Sequence, residues 1–114
     1  MSPRVVVVIH GDPLKTHRPV EALRIALGLS TGDNPLTVVL LGRAPLLLTD
    51  ETGELMDAEI LEKYLPSLKQ LKVPFLVPLG AHGEFAFDSG FDVRAASARE
   101  IEALVSSADR VLAF

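Results

Sequence analysis

The side chains best suited to acid–base or metal chemistry in this chain follow the ends of its apolar segments. His10 and Asp12 come directly after the first apolar run, and Arg43 comes after the second. His82 and Glu84 follow the third run. Neutral imidazoles and carboxylates together suit zinc or a similar divalent ion, and they also suit a polar ligand. The candidate ligand-binding residues are His10, Asp12, His17, Arg43, His82 and Glu84.

The spacing of these residues matches no established catalytic or metal motif. Metal motifs pair their ligands at short fixed intervals, and the three histidines show no such pairing. A GxGxxG pattern and a P-loop are also absent from the sequence. Ser89, the serine near His82 and Asp88, is not part of a GxSxG nucleophile elbow. The sequence therefore assigns no catalytic residue, no metal ligand and no cofactor. A divalent metal at the cluster is kept as an alternative to ordinary solvated loop residues.

The element that positions the first of these residues is a short apolar strand. Val5 to Ile9 is a run of five β-branched residues with no polar alternation, which is typical of a strand buried on both faces. Further strands are predicted at 36–41, 73–79, 91–95 and 110–114. Helical spacing predicts one helix that Thr16 or His17 caps, a long one that Asp57 caps, and a last one that opens with a capping box at Ser97.

This order of elements predicts an α/β fold. Strands that alternate with helices through short loops form a largely parallel sheet covered on both faces. We therefore expect a three-layer sandwich with about five strands, mostly parallel, in a single domain over residues 1–114. Because the carboxyl ends of parallel strands meet at one edge, where open α/β sheets bind ligands, the candidate residues should gather along that edge.

Composition and charge exclude several classes of function. The net charge of −4 gives no basic footprint for nucleic acid. No apolar run approaches the roughly 20 residues that a membrane span needs. Met1 to Arg4 leads straight into the first strand, which leaves no room for a signal peptide, so a cytoplasmic location is expected. The absence of cysteine excludes disulfides, thiolate metal sites and thiol nucleophiles in this chain.

The second half of the chain has a distinctive order of elements: a strand that ends in Gly80, a variable loop, a short strand, a capped helix and the closing segment ADRVLAF at 108–114. The first half has a valine-rich opening strand, a second strand that ends at Gly42 and the segment APLLL at 44–48. With these features the chain resembles the DsrE/DsrF/DsrH sulfur-relay family. The resemblance implies a compact DsrE-like fold, oligomers such as trimers and hexamers and, in active subunits, a cysteine that carries persulfide sulfur.

The family's cysteine position has no sulfur in this chain. In active subunits the cysteine lies at the end of the third strand just before a glycine, which corresponds here to Leu79, or to Pro78 if the register slips by one. The resemblance therefore implies a cysteine-free subunit that works by non-covalent binding or assembly, in a sulfur-relay or sulfur-metabolism context with protein partners of that type. The alternative is an enzyme that uses the histidine and carboxylate cluster on a small ligand, with or without a metal.

An excess of aliphatic side chains predicts a homo-oligomer, which would be a dimer, trimer or hexamer. The chain is 48% hydrophobic, more than one small core requires. Three consecutive leucines cannot all face one core, so at least one is expected to face a partner. Alternatively, the leucines pack under the acidic turn 50–54 of their own chain, and the phenyl rings pin their own loop to the core. The candidate interface residues are Leu46, Leu47, Leu48, Phe85 and Phe87.

Overall fold

A five-stranded, fully parallel sheet forms the centre of the computed structural model, which describes residues 3–32, 35–49 and 52–114. The strand order is β4-β3-β2-β1-β5, so the first strand lies between the second and the last. The α/β class and the parallel sheet that the sequence predicts are confirmed. The strands are β1 (Val5–Ile9), β2 (Leu36–Leu40), β3 (Pro74–Pro78), β4 (Asp92–Ala96) and β5 (Arg110–Ala113).

β1 is hydrogen-bonded to a neighbouring strand along each of its two edges, and its β-branched side chains are buried on both faces of the sheet. Val7 lies beside Val38 of β2 on one side and beside Leu112 of β5 on the other. Val5, Val6, Val7 and Ile9 are buried, as the run of apolar residues predicts. β5 is different, since all four of its residues are exposed. The last strand therefore forms an exposed edge of the sheet, while the first forms its interior.

Helices cover the two faces unequally. One face packs against Leu23 of α1 and Leu61 of α2, and the other packs against Ile101 of α4. This arrangement is the three-layer sandwich expected from the sequence. None of the helices in the described ranges is long and apolar enough to cross a bilayer. The helices are α1 (Arg18–Ser30), α2 (Ala58–Gln70), α3 (Ala81–Glu84), α4 (Ala98–Ser107) and a 3₁₀ helix (Ala44–Leu48).

The helix boundaries show where local sequence signals hold. Pro19 lies in the first turn of α1, but the His17 side chain makes no capping hydrogen bond. Asp57 is the N-cap residue of α2, yet its φ of 59° is left-handed and its side chain does not cap. A proline inside a helix commonly kinks or breaks it, but α2 runs through Pro66 without interruption. Pro66 is exposed, so solvent can satisfy the carbonyl that its missing N–H leaves free.

The capping box of α4 is confirmed, and removing it should weaken the helix. The Glu100 N–H donates to Ser97 Oγ at 3.1 Å, and the Ser97 N–H donates to Glu100 Oε1 at 3.2 Å. We expect Ser97→Ala to lower the free energy of unfolding by about 1 kcal/mol, because the Glu100 N–H loses its acceptor, Ser97 Oγ. Urea unfolding followed by circular dichroism measures this loss. Ser106→Ala, in the exposed last turn of the same helix, is the matched control. Equal midpoints for the two variants would contradict the prediction.

The placement of the leucine segment corrects the predicted oligomer interface. Leu47 and Leu48 are 0% exposed and belong to the main core, so neither can face a partner. Phe85 is also buried in that core, and Phe87 packs against it. The phenyl rings therefore pin their loop to its own subunit, the alternative that the sequence left open. Leu46 alone keeps partial exposure in the 3₁₀ helix.

The reason for this burial is that the two candidate segments pack against each other. The Asp88 N–H donates to the Leu48 carbonyl at 2.9 Å, and Thr49 forms an isolated antiparallel bridge with Phe87. The loop after α3 thus covers the 3₁₀ helix within one subunit. The acidic turn that the sequence offered as an alternative cover includes Asp50 and Glu51, which lie outside the described residues.

Candidate functional site

Asp12, the first candidate residue at the carboxyl edge with a fixed side chain, lies in the turn after β1. The His10 and Gly11 N–H groups both donate to the Phe114 carbonyl, which joins the loop after β1 to the end of β5. Asp12 Oδ1 then accepts a hydrogen bond from the Leu14 N–H at 2.9 Å. One oxygen of the Asp12 carboxylate is therefore held by its own loop, and the other is available to neighbouring strands.

Arg43 reaches this carboxylate from the end of the neighbouring strand. Gly42 has a φ of 60°, a conformation that glycine adopts without strain, and it turns the chain after β2. Arg43 Nε lies 3.8 Å from Asp12 Oδ2, which is an ion pair but too long for a hydrogen bond. The Arg43 side chain is 57% exposed. The structure thus brings together Asp12 and Arg43, two of the residues that the sequence placed at this edge.

A pocket of about 350 Å³ opens beside Arg43. Arg43 is the one predicted ligand-binding residue that lines it, and Leu46 also lines it, although the sequence assigned that residue to an interface. The other four lining residues, Leu14, Gly53, Glu54 and Leu55, were not predicted as site residues from the sequence. A leucine inside an otherwise polar loop, Leu14, was the available signal. The lining residues are Leu14, Arg43, Leu46, Gly53, Glu54 and Leu55.

The remaining candidate residues do not line this pocket. His82 is exposed on α3, and its ring packs edge-on against Phe87 with 5.1 Å between ring centroids. Glu84 is exposed at the end of the same helix, and His17 is exposed at the start of α1. β2 lies between the strands that precede His10 and His82. In the part of the chain that the structure describes, no group of three or more potential ligands is arranged to hold a metal ion.

A GxSxG spacing at residues 28–32 lacks the structure that would make its serine a nucleophile. Ser30 ends α1 rather than following a strand, and its hydroxyl donates to the Leu27 carbonyl at 2.7 Å. A nucleophile elbow requires a sharp strand-to-helix turn that exposes the serine hydroxyl. The Ser30 hydroxyl therefore provides a hydrogen-bond donor for a carbonyl at the end of α1, and it gives no evidence of hydrolase chemistry.

An ion pair anchors the loop between α3 and β4. Lys69 Nζ donates to Asp88 Oδ2 at 2.7 Å, and the Gly90 N–H donates to Asp88 Oδ1 at 2.9 Å. The hydrogen bond from Lys69 first, and that from Gly90 second, lower the pKa of Asp88 below its ordinary value. Lys69 Nζ also lies 5.0 Å from the centroid of the Phe91 ring. Both contacts of Lys69, with Asp88 and with the Phe91 ring, tie the loop to α2.

The lowered pKa of Asp88 makes part of the stability depend on pH. A carboxylate whose pKa is depressed in the folded state stabilises the fold above its unfolded pKa, and this contribution is lost as the pH falls through the folded pKa. We expect Asp88→Asn to flatten the decrease in thermal midpoint between neutral pH and about pH 3. Asp92→Asn, which removes an exposed partner of Arg94, serves as the control. An unchanged slope in Asp88→Asn would show that the pair contributes nothing.

Leu79 occupies the position just beyond the end of β3. Gly80, which follows it, has a φ of 92° and turns the chain into α3. Leu79 is 67% exposed, a high fraction for a leucine, and it lies at the carboxyl edge of the sheet. A side chain at this position is directly accessible from solution. An apolar one has no polar group to offer a ligand.

Comparison with known proteins shows the fold and not the family. No family model matches the chain, and no curated protein matches it in sequence. Among solved structures, the crystal structure of the YchN protein from E. coli superimposes with a TM-score of 0.78. The alignment covers 100% of both chains at 21% sequence identity. That neighbour has a DsrE-like fold, so the fold of this chain is DsrE-like, as the sequence resemblance implied.

Proposed function

We propose that this chain is a cysteine-free DsrE-like subunit that works by non-covalent binding and assembly, in a sulfur-relay or sulfur-metabolism context. The sulfur context is what the sequence resemblance implies, and the resemblance at 108–114 and the structural neighbour agree on the DsrE-like fold. The absence of cysteine from all 114 residues supports the non-covalent mode of action. A thiolate is the required nucleophile for accepting persulfide sulfur, and this chain has none.

The observation that carries the proposal is the exposure of Leu79. The position that corresponds to the family's cysteine is accessible, as a transfer site must be, but it carries an apolar side chain. An exposed leucine side chain gains free energy when another protein surface covers it, in proportion to the apolar area removed from water. Leu79 is therefore suited to contact with another protein surface, and it retains the place of the transfer site without its chemistry.

The proposal predicts a homo-oligomer in which the carboxyl edge takes part. Light scattering at micromolar concentration should give a mass of a dimer, trimer or hexamer rather than the 12.3 kDa of one chain. Leu79→Asp should lower that mass, because a carboxylate in an apolar contact lacks a partner. Leu71→Asp is the matched control, since Leu71 is 46% exposed and precedes β3 at the opposite edge. A monomer in the unmodified protein contradicts the assembly role.

A metal-dependent enzyme is the other function that the sequence suggested, and no observation favours it. The histidines of the cluster follow different strands, and in the described residues they share no metal-binding arrangement with carboxylates. Among the described residues, the pocket at this edge is lined by three leucines, Gly53, the Arg43 guanidinium and the Glu54 carboxylate. These groups can bind and orient a molecule, which agrees with a binding role.

A further inference from the structure

We propose that the pocket beside Arg43 binds a small monocarboxylate with an apolar body, which rests on the proposed binding role of this subunit. The pocket has a volume of about 350 Å³, near the lower end of the range for small-molecule sites. Its lining combines leucine side chains with a single cation. This combination of an apolar surface and one fixed charge is the pattern that recognises an amphipathic anion.

The walls of the pocket are held together before any ligand arrives. The Met56 N–H donates to the Pro13 carbonyl at 2.8 Å, which joins the segment before α2 to the loop after β1. The Leu55 N–H donates to the Thr52 carbonyl at 3.1 Å and closes the turn at the rim. Leu14 is fixed from the other side by its hydrogen bond to Asp12. Because these two chain segments are already tied to each other, binding costs little ordering of them.

The apolar part of the lining explains why the ligand must have an apolar body. Leu14 is 40% exposed although its backbone is fixed, and Leu46 keeps partial exposure while its two neighbours in the 3₁₀ helix are fully buried. Leu55 closes the floor with only 5% exposure. A ligand that covers the exposed leucine surface removes it from water, which is favourable in proportion to the area covered.

The guanidinium of Arg43 explains why the head group should be a carboxylate. Its Nε faces Asp12 at a distance beyond hydrogen bonding, and Arg43 donates no hydrogen bond to any residue of the described ranges. Its planar fork is therefore available for two parallel bonds to one carboxylate. The contact between Arg43 Nε and Asp12 is too long for a hydrogen bond, so it does not consume these donors.

The surrounding negative charge limits the ligand to a single anionic group. Glu54 lines the pocket and Asp12 lies close to Arg43, which is the one cation among the described lining residues. A phosphate dianion or a nucleotide would meet two carboxylates for each guanidinium, in a chain whose net charge is −4. Such repulsion disfavours multiply charged ligands, so a monocarboxylate fits this site better.

A matched series of three small molecules tests the head group. 3-Phenylpropionate, 3-phenylpropanol and 3-phenylpropylamine share an apolar body and differ in charge. Backbone amide shifts should report 3-phenylpropionate at Leu14, Leu46 and Leu55. The alcohol and the amine should bind at least about tenfold more weakly, because they lack the charged pair with the guanidinium. Equal binding of all three, shifts confined to other regions, or no shift with 3-phenylpropionate would overturn the proposal.

Arginine variants test the residue that the proposal assigns. Arg43→Gln should reduce the affinity for 3-phenylpropionate about tenfold or more and bring it to that of the alcohol. Arg94→Gln, which changes an exposed arginine on β4, should leave the affinity unchanged. Unchanged affinity in Arg43→Gln would overturn the assignment. Light scattering on the same samples separates this result from the proposed function, since an intact oligomer that binds no carboxylate refutes only the ligand class.

Discussion

Leu47→Asp is expected to unfold the protein rather than to dissociate an oligomer. Leu47 is 0% exposed in the main core, so the substitution removes buried apolar volume and adds a carboxylate without a partner. Losing the leucine side chain alone costs about 2–5 kcal/mol. An unpaired buried charge adds about 3–5 kcal/mol, or raises its own pKa to avoid ionisation. The sum is comparable to the total stability of an ordinary domain, about 5–15 kcal/mol.

Leu46→Asp is the matched control for this variant. The two leucines are neighbours in the same 3₁₀ helix, and Leu46 keeps partial exposure at the pocket. The Leu46 variant should stay folded and lose no more than about 1–2 kcal/mol, because its carboxylate can reach water. Urea titration followed by circular dichroism compares both with the unmodified protein. A Leu47→Asp protein that remains folded but becomes monomeric would show that the leucine faces a partner after all.

The second prediction concerns sulfur transfer: the unmodified protein should gain no sulfur from a persulfide donor. After incubation with a cysteine desulfurase and cysteine, intact-protein mass spectrometry should show no increase by one sulfur atom. The physical reason is that the accepting atom must be a thiolate, and the chain has no cysteine. A covalent sulfur adduct on the unmodified chain would contradict the non-covalent mode of action.

Leu79→Cys provides the control for this experiment. Because Leu79 is 67% exposed, a thiol at this position should react with a small aromatic disulfide, which verifies that the site is accessible. Under the proposed function, the same variant should gain the mass of one sulfur atom from the donor. Ala86→Cys, placed in another exposed position of the chain, separates a specific transfer site from general thiol reactivity. Equal gain of sulfur by the two variants would show that the Leu79 position is not a specific transfer site.

The strands and the layer arrangement could be predicted from the sequence because their signals are local and strong. β1 is a run of β-branched residues, and its burial on both faces follows from that composition. The capping box at Ser97 fixes the start of α4 through bonds three residues apart. Each of these signals lies within one short segment, so it can be recognised before any contact between distant segments is known.

The candidate site was predicted only in part because its walls come from three separate segments. Parallel topology brought Asp12 and Arg43 to one edge, but it could not show that the pocket lies beside Leu14 and Leu55. The burial of Leu48 was missed for the same reason, since its cover comes from the loop around Asp88, forty residues later in the chain. α3 escaped detection because it is a four-residue helix between glycine-containing turns.

The position of β1 beside β5 also sets the order in which the sheet can be completed during synthesis. Val5 pairs with Leu36 on one side, but its other neighbour is Arg110. At about 5–20 residues per second, a ribosome needs roughly 5–20 s to make the intervening chain. During that time the most apolar strand has an open edge, which is a template for pairing with other chains. The edge of β1 that faces β5 therefore stays without its partner strand until the last residues of the sheet have been made.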